Sequence, residues 1–176
     1  MYKERNEERR KEYSEAISEY KKKELVYIDE SGINEYLYRE KCWAKKGERI
    51  IGEVSGKKFK RINMIAGKCK KKIHALYTYE GNMNGSFFNI WLRECLLPEV
   101  GPGKVIVMDN ASFHKNKDTK KIIADAECKL IYLPPYSPDL NPIEKFWSWL
   151  KREIKSIAHN FTCLYEMLKM ALLKQN

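Results

Sequence analysis

Two short apolar segments of the chain each run into an aspartate: Leu25–Ile28 precedes Asp29, and Val105–Met108 precedes Asp109. Short apolar runs of this kind are typical of strands that are covered on both faces of a sheet. The carboxyl ends of parallel strands open into a crevice where ligands gather. We therefore predict two neighbouring strands with their carboxylates facing one another. Such carboxylates repel each other unless a cation lies between them, and Mg²⁺ prefers oxygen ligands of this kind.

A third acid, Glu144, follows a segment with prolines at positions 134, 135, 138 and 142. The sequence from Asn141 to Glu144 also fits a helix start, with Asn141 as the cap and Glu144 completing a capping box. A simple cap does not require so rigid an approach, so Glu144 is our candidate for the third ligand, and the two roles can coexist in part. Asp139 is interpreted as a turn or cap residue. Glu30 should point to the opposite face of its strand from Asp29, where it is solvated or paired.

The order of the predicted elements defines the fold class. In the first half of the chain, periodicity predicts a charged helix before residue 24, a strand hairpin over 62–67 and 73–79, and a helix from Asn84 to about Pro98. In the second half it predicts a helix over 118–126 capped by Asp118, a strand over 130–133, a helix that follows the third acid, and a last helix over 161–173. Three early strands followed by alternating helix and strand predict an α/β fold, with a mixed sheet and helices on both faces.

The charge of the chain favours a phosphate-rich partner. Its 176 residues fit one domain, and 34 Lys and Arg against 24 Asp and Glu give a net charge of +10. Nucleic acid is the leading candidate, although lysine-rich codon usage would give the same balance. Five scattered cysteines predict buried thiols in a reducing compartment. Because no apolar run approaches the roughly 20 residues of a membrane span, we expect a soluble intracellular protein and no membrane partner.

Basic and aromatic residues supply candidates for DNA contact, although charge runs are commonly only solvated surface. The candidates are Trp43, Lys45, Lys46, Arg49, Lys57, Lys58, Lys60, Arg61, Lys151 and Lys155. His114 follows the second aspartate by five positions and either contacts phosphate, orients the site or lies exposed in a loop. His74 lies in a strand pattern and is interpreted as structural.

Three segments, Tyr27–Gly32, Asp109–Lys115 and Leu133–Trp147, resemble the catalytic domain of mariner-like transposases, and most closely its bacterial insertion-sequence branch with a DDE endonuclease domain. The resemblance covers about residues 24 to 172. It implies a ribonuclease H-like fold with a mixed five-stranded sheet.

The same resemblance implies that Asp29, Asp109 and Glu144 hold two Mg²⁺ ions, which Mn²⁺ can replace, and that Asn110 and His114 support the second acid. The implied activity is metal-dependent phosphodiester hydrolysis and strand transfer in cut-and-paste transposition. The implied partners are double-stranded DNA, as element ends and target, and a second copy of the chain in a homodimer. The implied location is cytoplasmic and nucleoid-associated.

The family places helix-turn-helix modules before its catalytic domain, and the residues before the first strand are too few to hold one. We therefore expect residues 1–24 to be a charged helical linker remnant and residues 25–176 to be the catalytic domain, from a split, truncated or decayed gene. Two alternatives follow. The first is an inactive remnant that binds only DNA or a partner transposase, and the second is an RNA-cleaving or repair nuclease of the same fold.

Overall fold

The strands of the protein are β1 (Leu25–Asn34), β2 (Arg61–Cys69), β3 (Lys72–Tyr79), β4 (Val105–Met108) and β5 (Lys129–Tyr132). They come from a computed structural model that describes residues 6–34, 44–49, 61–161 and 163–174. Within these ranges the strands form one sheet in the order β3-β2-β1-β4-β5. β2 pairs antiparallel with β1 and β3, whereas β4 pairs parallel with β1 and β5. The predicted mixed five-stranded sheet is confirmed.

The helices are α1 (Glu7–Ser18), α2 (Gly85–Trp91), α3 (Leu97–Val100), α4 (Lys117–Asp125), α5 (Ile143–Ile157) and α6 (Leu164–Leu173). A π-helical turn over Leu92–Leu96 joins α2 to α3. Among the described residues, no helix is both long and apolar enough to cross a membrane.

Helix termini depart from the prediction at two points. Asn116, rather than the predicted Asp118, caps α4, because the Asn116 side chain accepts a hydrogen bond from the Thr119 N–H at 2.6 Å. Asp118 lies in the first turn instead, where its charge favours the helix dipole. The helical run also continues past Pro98 to Val100, because the wider π turn precedes the proline, which has no N–H to donate.

Helices cover both faces of the sheet, as predicted. On one face, β2 packs Ile62, Met64 and Ala66 against the apolar stripe of α5 and against α6. On the other face, β1 and β4 pack against α2, the π turn, α3 and α4. All four residues of β4 are buried, which confirms its prediction as a central strand. The prediction of buried thiols is wrong for most of the described cysteines, because Cys128 is buried whereas Cys69, Cys95 and Cys163 are partly exposed.

The charged helix α1 lies against the sheet, although its sequence suggests a solvated helix. Tyr13 is 7% exposed and packs in a cluster with Leu25, Val107 and Leu133. The same helix reaches the proline-rich segment through Arg10. Its guanidinium donates to the Asp139 carboxylate over 3.0 Å and 2.6 Å. The segment before β1 is therefore part of the packed structure, and Asp139 is an ion-pair partner within its short 3₁₀ turn.

The packing of α1 can be tested at Tyr13. Replacing Tyr13 by Ala removes a buried ring and should lower the free energy of unfolding by about 3 kcal/mol. Tyr13→Phe keeps the ring and should lower it by less than about 1 kcal/mol. Urea denaturation measures both values. A Tyr13→Ala variant as stable as the wild type would contradict the packing of this helix on the sheet.

Candidate active site

The prediction that Asp29 ends its strand is wrong, because β1 continues to Asn34, whereas Asp109 directly follows β4. The two acids lie beside each other just beyond the paired residues of β1 and β4. In the parallel pairing of β1 with β4, Tyr27 aligns with Val107. Continuing this register by two residues sets Asp29 opposite Asp109 on the same face, because side chains alternate along a strand. The side chain of Asp109 is half exposed and that of Asp29 is partly buried. The predicted juxtaposition of the two acids is therefore present.

Glu144 approaches the two aspartates from the first turn of α5. Two contacts fix the start of this helix against the sheet. The Asn141 amide donates to the Ile28 carbonyl at 3.4 Å, and the Lys68 ammonium donates to the Pro142 carbonyl at 3.1 Å. Because Ile28 directly precedes the first aspartate, the helix start is tied to the part of β1 that carries that acid.

The three acids line one pocket of about 390 Å³. Asn110, Ala111, Asn141 and the proline-rich segment 133–138 form the rest of its wall. The Asn110 amide donates to the first carbonyl of that segment, so it ties the end of β4 to the chain that follows β5. A larger pocket of about 530 Å³ lies between α3 and α4, but none of the three acids lines it.

The capping-box role of Glu144 is not present in the structure. The Asn141 side chain accepts a weak hydrogen bond from the Ile143 N–H at 3.4 Å, whereas the Glu144 N–H donates to the Asn141 backbone carbonyl at 3.2 Å. The Asn141 N–H donates to the Pro138 carbonyl at 2.9 Å, whereas a capping box would direct it to Glu144. The Glu144 carboxylate therefore lines the pocket instead of closing the helix start.

Asp29 has an unusual environment for a carboxyl group. Burial, together with the charges of Glu144, Glu30 and Asp109, raises the pKa of Asp29 to about 8. Trp147, one helical turn after Glu144, donates its indole N–H to Asp29 at 3.1 Å. In the metal-free protein, Asp29 therefore keeps its proton at neutral pH.

His114 is fully buried, so its placement in an exposed loop is wrong. Its Nδ1 lies 2.7 Å from Asp109 Oδ1, and its Nε2 lies 3.1 Å from Glu30 Oε1. Burial by itself lowers the pKa of His114, but the two carboxylates outweigh this effect and raise it to about 9. Of the two alternatives predicted for Glu30, solvated or paired, the structure shows pairing, with a partner that no local sequence pattern indicates.

The same contacts affect Asp109 in the opposite way from Asp29. Burial by itself raises the pKa of Asp109, but hydrogen bonds from His114 and the Ala111 N–H outweigh it and hold the pKa below its ordinary value. The pocket therefore holds one ionised and one protonated aspartate when no metal is bound. A cation that enters would displace the proton of Asp29.

Part of the predicted DNA-contacting set cannot be placed. Trp43, Lys57, Lys58 and Lys60 lie outside the described residues. Lys45, Lys46 and Arg49 are exposed in the short segment 44–49. Arg61 begins β2, and its guanidinium lies over Gly32 of β1, where any larger side chain would collide with it.

Lys151 and Lys155 follow Glu144 by seven and eleven positions, which is close to two and three turns of helix. They therefore lie on the same side of α5 as Glu144. Burial lowers the pKa of Lys151, although the nearby charges of Glu144 and Asp29 oppose that change. The two lysines therefore lie in a row along α5, beyond the acids.

The donor chemistry of the pocket fits a hard divalent cation. Three carboxylates supply the oxygen ligands that Mg²⁺ and Mn²⁺ bind. In the described part of the chain, no group of three carboxylate, imidazole or thiol side chains is already arranged to hold an ion.

Trp147 is a site residue that sequence reasoning missed. Its helical pattern predicts core packing, which is correct because Trp147 is 1% exposed. Its indole N–H also holds Asp29. The spacing of three positions from Glu144 puts both residues on one side of α5, so the helical period contained a signal for this second role.

The sheet order, with one acid within β1, one directly after β4 and one at the start of α5, defines a ribonuclease H-like fold. Solved structures share this fold. The mariner Mos1 paired-end complex with Mg matches 99% of this chain and 55% of its own, with a TM-score of 0.73 and 16% identity. The Mos1 transposase catalytic domain with raltegravir and Mg matches 97% of this chain and 81% of its own, with a TM-score of 0.61 and 14% identity.

A family model described as DDE superfamily endonuclease matches residues 24–167. The chain belongs to this family. It is also 32% identical over 87 residues to the Tc1 transposase of Caenorhabditis elegans, a stretch that covers 49% of this chain and 32% of that protein. The chain thus spans about a third of the length of the curated relatives it matches.

The environment of Asp29 predicts a pH-dependent stability in the presence of EDTA. Between its ordinary pKa of 3.8 and its folded value of about 8, the unfolded chain loses this proton while the folded chain keeps it. Its contribution to stability therefore falls as the pH rises through this window. Asn has no such proton, so Asp29→Asn should melt several degrees above the wild type at pH 8 and close to it at pH 4.

Thermal melts across this pH range measure the difference between the two proteins. Asp125→Asn, an exposed position on α4, is the control for loss of one negative charge. A difference between Asp29→Asn and wild type that does not change with pH would contradict the protonation of Asp29.

Proposed function

We propose that this chain is the catalytic domain of a DNA transposase, which hydrolyses phosphodiester bonds and transfers strands with the help of two Mg²⁺ ions. The observation that carries the proposal is one pocket lined by Asp29, Asp109 and Glu144 within a DDE endonuclease fold. Mn²⁺ could replace Mg²⁺ because the same oxygen donors bind both ions.

In this proposal the three acids bind the ions, and neighbouring side chains orient the acids. When bound, such ions activate an attacking water or 3′-hydroxyl and stabilise the departing oxygen. Trp147 orients Asp29 through the indole N–H, and His114 orients Asp109 through its ring. Asn110 joins the ends of β4 and β5 beneath the pocket. Preorganised ligands of this kind avoid the cost of rearrangement during the reaction.

The substrate in this proposal is double-stranded DNA, as element ends and as target. The net charge of +10 and the lysines along α5 support binding to phosphate. The Mos1 neighbours are a paired-end complex and a strand transfer complex, which supports the proposal of a homodimer that holds two ends. We propose residues 25–176 as the catalytic domain and residues 1–24 as a charged helical segment before it, whose helix α1 packs on the sheet. We also propose a nucleoid-associated, cytoplasmic location that follows from the DNA substrate.

The proposed activity depends on the charge of Glu144. Glu144→Gln keeps the shape of the side chain but removes a charged oxygen ligand, which should lower the rate of DNA nicking at least about 100-fold. Nicking of supercoiled plasmid with Mg²⁺ or Mn²⁺ measures the rate, and circular dichroism verifies that the variant folds.

Glu153→Gln is the matched control, because it removes a charge from the same helix at a residue that pairs with Lys174 instead. It should nick DNA at the wild-type rate. Undiminished nicking by Glu144→Gln would contradict the assigned ligand. Salt-sensitive DNA binding by the wild type without any divalent-dependent cleavage would instead favour a binding-only remnant.

DNA that runs along α5 should contact Lys155. Each phosphate contact adds about 0.9 to the slope of log K against log salt. Lys155→Gln should therefore reduce the slope by about 0.9, whereas Lys121→Gln on α4, the other side of the sheet, should leave it unchanged. Fluorescence anisotropy with a labelled duplex over a salt series measures both slopes. Equal slopes for the two variants would contradict a DNA path along α5.

A further inference from the structure

Three side chains, connected by hydrogen bonds, link one face of β1 to the acid pocket. Glu30 follows Asp29 and therefore points to the opposite face of the strand. His114 lies between the two carboxylates, with Nε2 3.1 Å from Glu30 Oε1 and Nδ1 2.7 Å from Asp109 Oδ1. Its ring is fully buried, and its centroid lies 4.4 Å from that of Phe88. Packing and two hydrogen bonds therefore fix the ring in one orientation.

The hydrogen bonds to Asp109 give its two carboxylate oxygens separate roles. Oδ1 accepts from His114 and also from the Ala111 N–H at 2.9 Å. Within the described residues, no hydrogen bond of the protein reaches Oδ2. The carboxylate is therefore held by one oxygen while the other stays available to the pocket.

We infer that Glu30 is a positioning residue for the metal site: through His114 it holds Asp109 so that one defined oxygen faces the ion. This inference rests on the proposed function, because it needs Asp109 to be a metal ligand. Glu30 itself is not among the residues that line the pocket. It acts only through the ring, since loss of its carboxylate would leave Nε2 without this acceptor and free the ring to tilt away from Asp109. Outer partners of this kind change metal affinity by about 10–100-fold.

The protein contains a matched pair for comparison. His74, which is 8% exposed, has its Nδ1 2.9 Å from Glu99 Oε1, and Glu99 also accepts from the Ala75 N–H. This pair joins β3 to α3, and neither member lines the acid pocket. The structural role predicted for His74 is confirmed. Loss of Glu99 should therefore lower stability without changing metal binding.

The test is Mn²⁺ affinity, measured by electron paramagnetic resonance of free Mn²⁺ on the whole chain without DNA. Glu30→Ala should weaken binding about 10-fold or more. Glu30→Gln keeps an acceptor for Nε2 and should remain within about threefold of the wild type. Glu99→Ala should bind Mn²⁺ as the wild type does. Should Glu30→Ala fail to fold, Glu30→Asp draws the carboxylate away from the ring and should weaken binding in the same direction.

The variant Asp109→Asn distinguishes a failure of the positioning role of Glu30 from a failure of the metal site itself. If Asp109→Asn loses Mn²⁺ binding while Glu30→Ala and Glu30→Asp bind as the wild type does, the positioning role of Glu30 is wrong and the metal site stands. If Asp109→Asn also binds as the wild type does, the metal site is wrong and the inference fails with it. Equal weakening by Glu30→Ala and Glu99→Ala would show a general effect of lost stability and would also overturn the inference.

Discussion

The parallel pairing of β1 with β4 is the constraint on which the rest of the site depends. It sets two aspartates beside each other at the point where β4 ends, and like charges there oppose folding. The protein accommodates them unequally, because partial burial and nearby charges raise the pKa of Asp29 while His114 lowers that of Asp109. A cation that binds here would displace the proton of Asp29, whereas Asp109 is already ionised.

The supporting structure ties each acid to a separate part of the fold. Asn141 joins the start of α5 to β1, and Trp147 on the same helix holds Asp29, so the helix that carries the third acid also orients the first. On the other side of β1, His114 joins the second acid to Glu30. Arg10 of α1 pairs with Asp139 just before the third acid. The acids therefore depend on contacts from both faces of the sheet.

Much of this arrangement could be predicted, because hydrophobic periodicity reports which face of an element is buried. The apolar run before Asp109 and the stripe of α5 predicted their elements correctly. The cap of α4 was wrong because Asn116 and Asp118 are both good caps, and the backbone decides between them. The contact of His114 with Glu30 spans 84 positions, so no local pattern contains it. Trp147 was correctly predicted as core, but its polar contact depends on where the helix meets the strand.

The central claim is that Asp29, Asp109 and Glu144 together hold divalent cations. The most direct measurement is a crystal structure with Mn²⁺, with anomalous diffraction recorded at the manganese absorption edge. The account predicts anomalous peaks in the acid pocket, bound by oxygens of all three carboxylates at about 2.1 Å, the distance expected for a hard octahedral ion. Manganese bound elsewhere, with the three acids left without an ion, would contradict it.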